Sequence, residues 1–176
     1  MFTTAQAERL EACARVLDPP ARIVMTGRVP DEALAAIRRG ADPGVELLVV
    51  GPGEVAGVEG SIDLLFIGPA APYSVAAELL ARWTGRVSPG GLLFVYGAFA
   101  APALTAALLR AVGSSRAWRY YGRDGALSEY VRADLTHGER VLDALAQLAQ
   151  LAYFARRVSR RRLRRDRQAP AATLKA

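Results

Sequence analysis

Few side chains in this sequence are equipped for chemistry. Its 176 residues hold one histidine, His137, and one cysteine, Cys13, so the usual zinc ligand sets cannot be assembled. His137 sits inside Thr136-x-x-Glu139, a pattern that caps a helix start, and reads as a solvated first-turn residue rather than a base. Cys13 lies in an amphipathic segment and reads as a small buried hydrophobe. Ser114-Ser115 has no neighbouring base that would make a nucleophile of either hydroxyl. Asp31 follows Pro30, where an acid favours the helix dipole. Tyr73 and Tyr96 flank strand ends, but tyrosines are common packing residues.

The strand ends themselves are where an open α/β sheet places its ligands. Arg22 to Met25, Val45 to Val50, Ile62 to Ile67 and Leu92 to Tyr96 are short apolar runs that read as buried strands. Each ends in small residues: Gly27, Gly51-Pro52-Gly53, Gly68-Pro69-Ala70-Ala71 and Gly97. Helices are expected from Thr3-x-x-Gln6 to about Leu17, from Pro30 to Arg39, over Tyr73 to Arg86 and over Ala101 to Val112. Arg116 to Tyr121 and Leu127 to Arg132, joined by Gly122-Arg123-Asp124-Gly125, predict a β-hairpin. Alternating strands and helices imply βαβ units. The expected fold is α/β: a Rossmann-like, mostly parallel sheet with helices on both faces, a C-terminal antiparallel hairpin and an extra C-terminal helix.

That last helix divides in two. Val141, Leu142, Leu145, Leu148, Ala152 and Phe154 recur at mostly helical spacing, and an arginine-rich run follows. Residues 1–155 hold 14 Arg/Lys against 16 Asp/Glu, a net of −2, whereas residues 156–176 hold 9 against 1, a net of +8. The +6 of the whole chain therefore belongs to the tail. The expected organisation is a domain over residues 1–135, an amphipathic then basic helix over 136–168, and a disordered tail over 169–176. The uncharged stretch between Arg86 and Arg110 is long enough to span a bilayer, but Pro89-Gly90-Gly91, Gly97 and Pro102 break it into strand, turn and helix. A lone cysteine and no visible secretory signal lead us to expect a cytoplasmic protein.

The strings at the strand ends resemble those of class I S-adenosylmethionine-dependent methyltransferases, most closely the small-molecule O-methyltransferase-like branch. Met25-Thr26-Gly27-Arg28-Val29-Pro30-Asp31 matches the family's acid-x-Gly-x-x-x-Gly, with Met25 at the acid and Asp31 at the second glycine. Gly51 matches the acid that holds the cofactor's ribose. Asp63-Leu64-Leu65-Phe66-Ile67-Gly68-Pro69-Ala70-Ala71-Pro72-Tyr73 matches D-L-L-F-I-D-G-D-H-x-Y at Asp63 and Tyr73, with Gly68, Ala70 and Ala71 replacing Asp, Asp and His. Pro89-Gly90-Gly91-Leu92-Leu93 matches the family's P-G-G turn and strand, and Tyr96-Gly97 stands where His-Asp is usual. The likeness covers about residues 20–133, and the span from Gly51 to Ile62 is short for the helix–strand–helix normally found there.

The resemblance implies a cofactor cleft at Met25, Gly27, Gly51, Gly68, Tyr73 and Gly97, stripped of its carboxylates and of any catalytic or metal-binding residue. Two functional readings follow. One is a non-catalytic, methyltransferase-like scaffold or partner subunit, a pseudoenzyme in which S-adenosylmethionine binding is weak or lost. The other is a divergent, active methyltransferase on a small molecule, holding its cofactor through backbone at Gly27, Gly51 and Gly68. For the C-terminal helix the expected roles are homo-oligomer or heteromer formation through Leu145, Leu148 and Phe154. Docking of Arg156, Arg157, Arg160, Arg161 and Arg164 on an anionic membrane, nucleic acid or acidic protein is expected beside it.

Overall fold

The computed structural model describes residues 2–51 and 59–168. The chain opens with a capped helix: the Thr3 hydroxyl accepts from Gln6 N and the Gln6 side chain accepts from Thr3 N, fixing α1 (Thr4–Arg15). There follow β1 (Arg22–Thr26), α2 (Asp31–Gly40), β2 (Glu46–Val50), β3 (Ile62–Ile67), α3 (Tyr73–Trp83), β4 (Val87–Tyr96), α4 (Pro102–Leu108), β5 (Trp118–Asp124), β6 (Leu127–Arg132) and α5 (His137–Gln168). The strands form one sheet in the order β2-β1-β3-β4-β6-β5. Neighbours among β1 to β4 run parallel, and β6 lies antiparallel between β4 and β5.

Alternating side chains of the central strands feed two cores. Ile23, Met25, Leu64, Phe66 and Phe94 pack under α1 and α2. Val24, Leu65, Ile67, Leu93 and Val95 pack under α3 and α4. This is the Rossmann-like, mostly parallel sheet with helices on both faces that the sequence predicts. Asp63, one of the matched residues, works at the far end from the strand tips. Its carboxylate accepts from Arg22 N and from the Ser88 hydroxyl, tying together β1, β3 and β4. Pro89-Gly90-Gly91 lies inside β4, at an irregularity where the pairing jumps from Ile62–Val87 to Leu64–Leu92.

Two expectations are corrected. Val45 to Val50 is not a buried strand: β2 is the sheet's edge, with Glu46 and Val49 exposed, because nothing described covers its outer side. The hairpin turn is tighter than expected, since β5 continues to Asp124 opposite Leu127 and leaves only Gly125 and Ala126 as loop. Leu145 and Leu148, expected to serve assembly, are exposed. The turn expected at Pro52-Gly53 and the tail at 169–176 lie outside the described residues.

The exposure of Leu145 and Leu148 follows from the way α5 is attached. Its first turn is held by the cap, in which Glu139 Oε2 accepts from Thr136 N at 3.0 Å and from the Thr136 hydroxyl at 2.8 Å. These bonds hold the Glu139 carboxyl below its ordinary range. Beyond the cap, polar side chains do the anchoring. Asp143 accepts from Tyr120 N, Arg119 pairs with Glu139, and Arg123 donates to Gln150. The helix thus lies along β5, the other edge of the sheet, and satisfies a backbone N–H that an edge strand would leave open. Gln147 is 2% exposed and Leu151 packs on the core. The face turned inward thus carries Asp143, Gln147 and Gln150 together with Leu151.

Candidate functional site

The sheet order sends β2 to one side of β1 and β3 to the other. The crevice beyond the tips of β1 and β3 is thus a topological switch point, where α/β sheets bind ligands. A cleft of about 500 Å³ opens there. Its described walls are Gly27 and Arg28 after β1, Pro69, Ala70 and Ala71 after β3, Val75 and Leu79 of α3, and Ala101 before α4. The walls are apolar apart from Arg28, an exposed residue. No carboxylate lines the cleft among the described residues, and these include no group of acids, histidine and cysteine able to hold a metal ion.

The floor of the cleft is backbone against backbone. Gly68 N donates to Thr26 O at 2.8 Å, extending the β1–β3 ladder one step past the strands. A Cβ at Gly68 would stand 2.2 Å from the Arg28 carbonyl oxygen, and one at Gly27 would stand 3.1 Å from Gly68 O. Gly27 also has φ 78°, a left-handed conformation that glycine adopts without steric cost. Position 68 therefore accepts no side chain, acidic or otherwise, while the loop after β1 keeps its course.

Of the six positions expected in the cleft, the described walls include Gly27. Met25 is fully buried in the core beneath α1 and α2, because its place in β1 points it to that face; it is corrected from cleft residue to core residue. Gly68 forms the closed floor just described. Gly97 is buried, with φ 95°, and its carbonyl accepts from Ala100 N and Ala101 N; it builds the turn after β4 and offers no open backbone. Tyr73 is partly exposed at the first residue of α3. Gly51 follows β2 and adjoins residues 52–58, which lie outside the described set.

Other candidates fall where the sequence places them. His137 is exposed in the first turn of α5, and Cys13 is buried, with its thiol pushed up by burial. Ser114 donates to Arg110 O, and Ser115 accepts from Ala117 N. Tyr96 stacks edge-on against Phe2, ring centroids 5.1 Å apart. Leu145 and Leu148 lie on the outer face of α5, and the side chains of Phe154, Arg156, Arg157, Arg160, Arg161 and Arg164 lie outside the described set. Residue-type reasoning missed Arg28, Val75, Leu79 and Ala101. Only Arg28, between Gly27 and a helix start, carries a signal that could have drawn notice.

No protein-family model and no curated protein matches this sequence. Solved structures share its fold. The chain is similar to a methyltransferase from Geobacter sulfurreducens (19% identity, TM-score 0.54), with 76% of this chain and 80% of that one covered. It is also similar to the O-methyltransferase TomG from Streptomyces achromogenes, involved in tomaymycin synthesis and solved with S-adenosylmethionine (14%, 0.52, covering 76% and 82%). A third is the O-methyltransferase from Bacillus cereus in complex with S-adenosylhomocysteine (10%, 0.51, covering 77% and 83%). The fold is that of class I S-adenosylmethionine-dependent methyltransferases.

Proposed function

We propose that this chain is a methyltransferase-fold domain that has lost catalysis and acts through interactions, as a scaffold or partner subunit. The observation that carries the reading is the closed floor of the cleft, where the Arg28 carbonyl occupies the space of any side chain at position 68. S-adenosylmethionine presents a ribose diol, an ammonium group and a sulfonium cation, all of which favour carboxylate or carbonyl acceptors. The described walls offer apolar carbon and one guanidinium instead, which suit the adenine ring and the methionyl carboxylate but leave the diol, the ammonium and the sulfonium without a carboxylate partner. Charge-assisted hydrogen bonds contribute about 1.5–3 kcal/mol each. Lacking two of them weakens cofactor binding by roughly 10²–10⁴.

The cleft volume of about 500 Å³ and the presence of Gly27 in its wall favour a second reading, a divergent methyltransferase that grips its cofactor through backbone. Thermal unfolding of the full chain with added S-adenosylmethionine or S-adenosylhomocysteine separates the two. A ligand at a hundred times its Kd stabilises the folded state by about 2.7 kcal/mol. Under the first reading the midpoint does not move at millimolar ligand; under the second it rises by several degrees.

A further inference from the structure

The outer face of α5 is apolar where a surface helix is ordinarily polar. Val141 is 47% exposed, Leu142 68%, Leu145 56% and Leu148 53%. Four of the eight exposed large apolar residues among those described thus fall within eight consecutive positions. Singly scattered apolar residues are ordinary on a surface, whereas a contiguous patch marks an interaction site. The polar side of the same turns, Asp143, Gln147 and Gln150, is spent on the sheet edge and the helix itself. The stripe is therefore fixed facing away from the domain.

The charge pattern identifies what the stripe meets. From residue 144 to 165 the sequence contains no Asp or Glu, and residues 156–167 contain eight arginines. The helix runs unbroken from the stripe into this segment, as far as Gln168. No helix among the described residues is long and apolar enough to cross a membrane, so α5 is suited to lying in a surface, not to spanning one. An apolar helix face with basic residues alongside is the composition that inserts at the headgroup–acyl boundary of an anionic bilayer. A second copy of α5 offers few carboxylates, of which Glu139 and Asp143 are engaged by Thr136, Arg119 and Tyr120 N, and parallel pairing sets one arginine run against the other. No aromatic residue interleaves with Arg156 to Arg167, so a stacking platform for single-stranded nucleic acid is missing.

We propose that α5 docks this protein peripherally on anionic membranes. Val141, Leu142, Leu145 and Leu148 enter the interface, and the arginines of residues 156–167 engage lipid phosphates. The proposal is independent of whether the cleft binds a cofactor.

Co-flotation of the full chain with vesicles tests it, using mixed phosphatidylglycerol and phosphatidylcholine against phosphatidylcholine alone. Binding is expected to the anionic vesicles and to weaken steeply as salt rises from about 0.1 M to about 1 M, where the Debye length falls from about 10 Å to about 3 Å. Each basic residue near an anionic leaflet strengthens attachment about fivefold. The R156Q/R157Q/R160Q/R161Q variant should thus bind roughly three orders of magnitude more weakly. L142E/L145E, and the milder L142Q/L145Q, should lose binding while circular dichroism and the thermal midpoint remain those of the parent. Equal flotation with both lipids would overturn the proposal. So would undiminished binding by the leucine variants, a salt-resistant dimer that buries the stripe, or attachment to duplex nucleic acid without attachment to vesicles.

Discussion

At position 68 the residue type is set by the neighbouring backbone. Gly68 sits between the end of β3 and the loop after β1, and any Cβ there meets the Arg28 carbonyl. Gly68→Ala is expected to lower stability by about 1–3 kcal/mol, the ordinary cost of overpacking. The reading is a lower urea midpoint at unchanged slope. Gly68→Asp should cost more, because a larger side chain must clear the same Arg28 backbone. A neutral outcome for both would show that the loop has slack, and would return the cleft to the family's pattern. Gly27, Gly51, Gly68 and Gly97 look alike in the sequence as strand-end glycines, yet they differ in the structure. One lines the cleft, one closes its floor and one builds a turn, while Gly51 adjoins residues outside the described set. Sequence spacing locates a strand tip; it does not say which backbone crosses over it.

Among the elements, α5 shows the same boundary of legibility. Its start was readable in Thr136-x-x-Glu139, because a capping box is local chemistry. The apolar period was readable too, but period alone does not say which side faces the domain. That orientation is decided by partners distant in sequence: Tyr120 N for Asp143, and Arg123 for Gln150. VELLVV likewise gave a strand without revealing that it is an edge. Beneath α5 the hydroxyls of Tyr120 and Tyr130 are buried without a hydrogen-bond partner among the described residues. Burial pushes Tyr120 up to about 12 and Tyr130 well above its ordinary value. Below the unfolded tyrosine value of about 10, both states keep these protons and stability does not change with pH on their account. Above it the unfolded chain releases protons that the folded one retains, so stability falls progressively as pH rises through about 12. Urea midpoints followed into this alkaline range should decline, and should decline less in Tyr130→Phe. Parallel pH profiles for parent and variant would contradict the burial of a protonated Tyr130.

For the whole molecule, the order of elements and the packing strings Asp63-Leu64-Leu65-Phe66-Ile67 and Pro89-Gly90-Gly91 were enough to predict the methyltransferase-like fold. The reason is that these residues perform structural work in any such sheet: Asp63 ties three strands, and the P-G-G segment shapes β4. The same strings are silent about catalysis, which depends on residues that the scaffold does not require. Solved methyltransferases share the architecture at 10–19% identity, so the fold itself does not decide between an active and an emptied cleft. Charge is divided as unevenly as chemistry, with a near-neutral domain and a strongly basic final segment. The central claim, a kept scaffold without its cofactor, is tested most directly by calorimetric titration of the full-length chain with S-adenosylmethionine. The expected result is no saturable heat at micromolar concentrations; saturable binding with a micromolar Kd would contradict it.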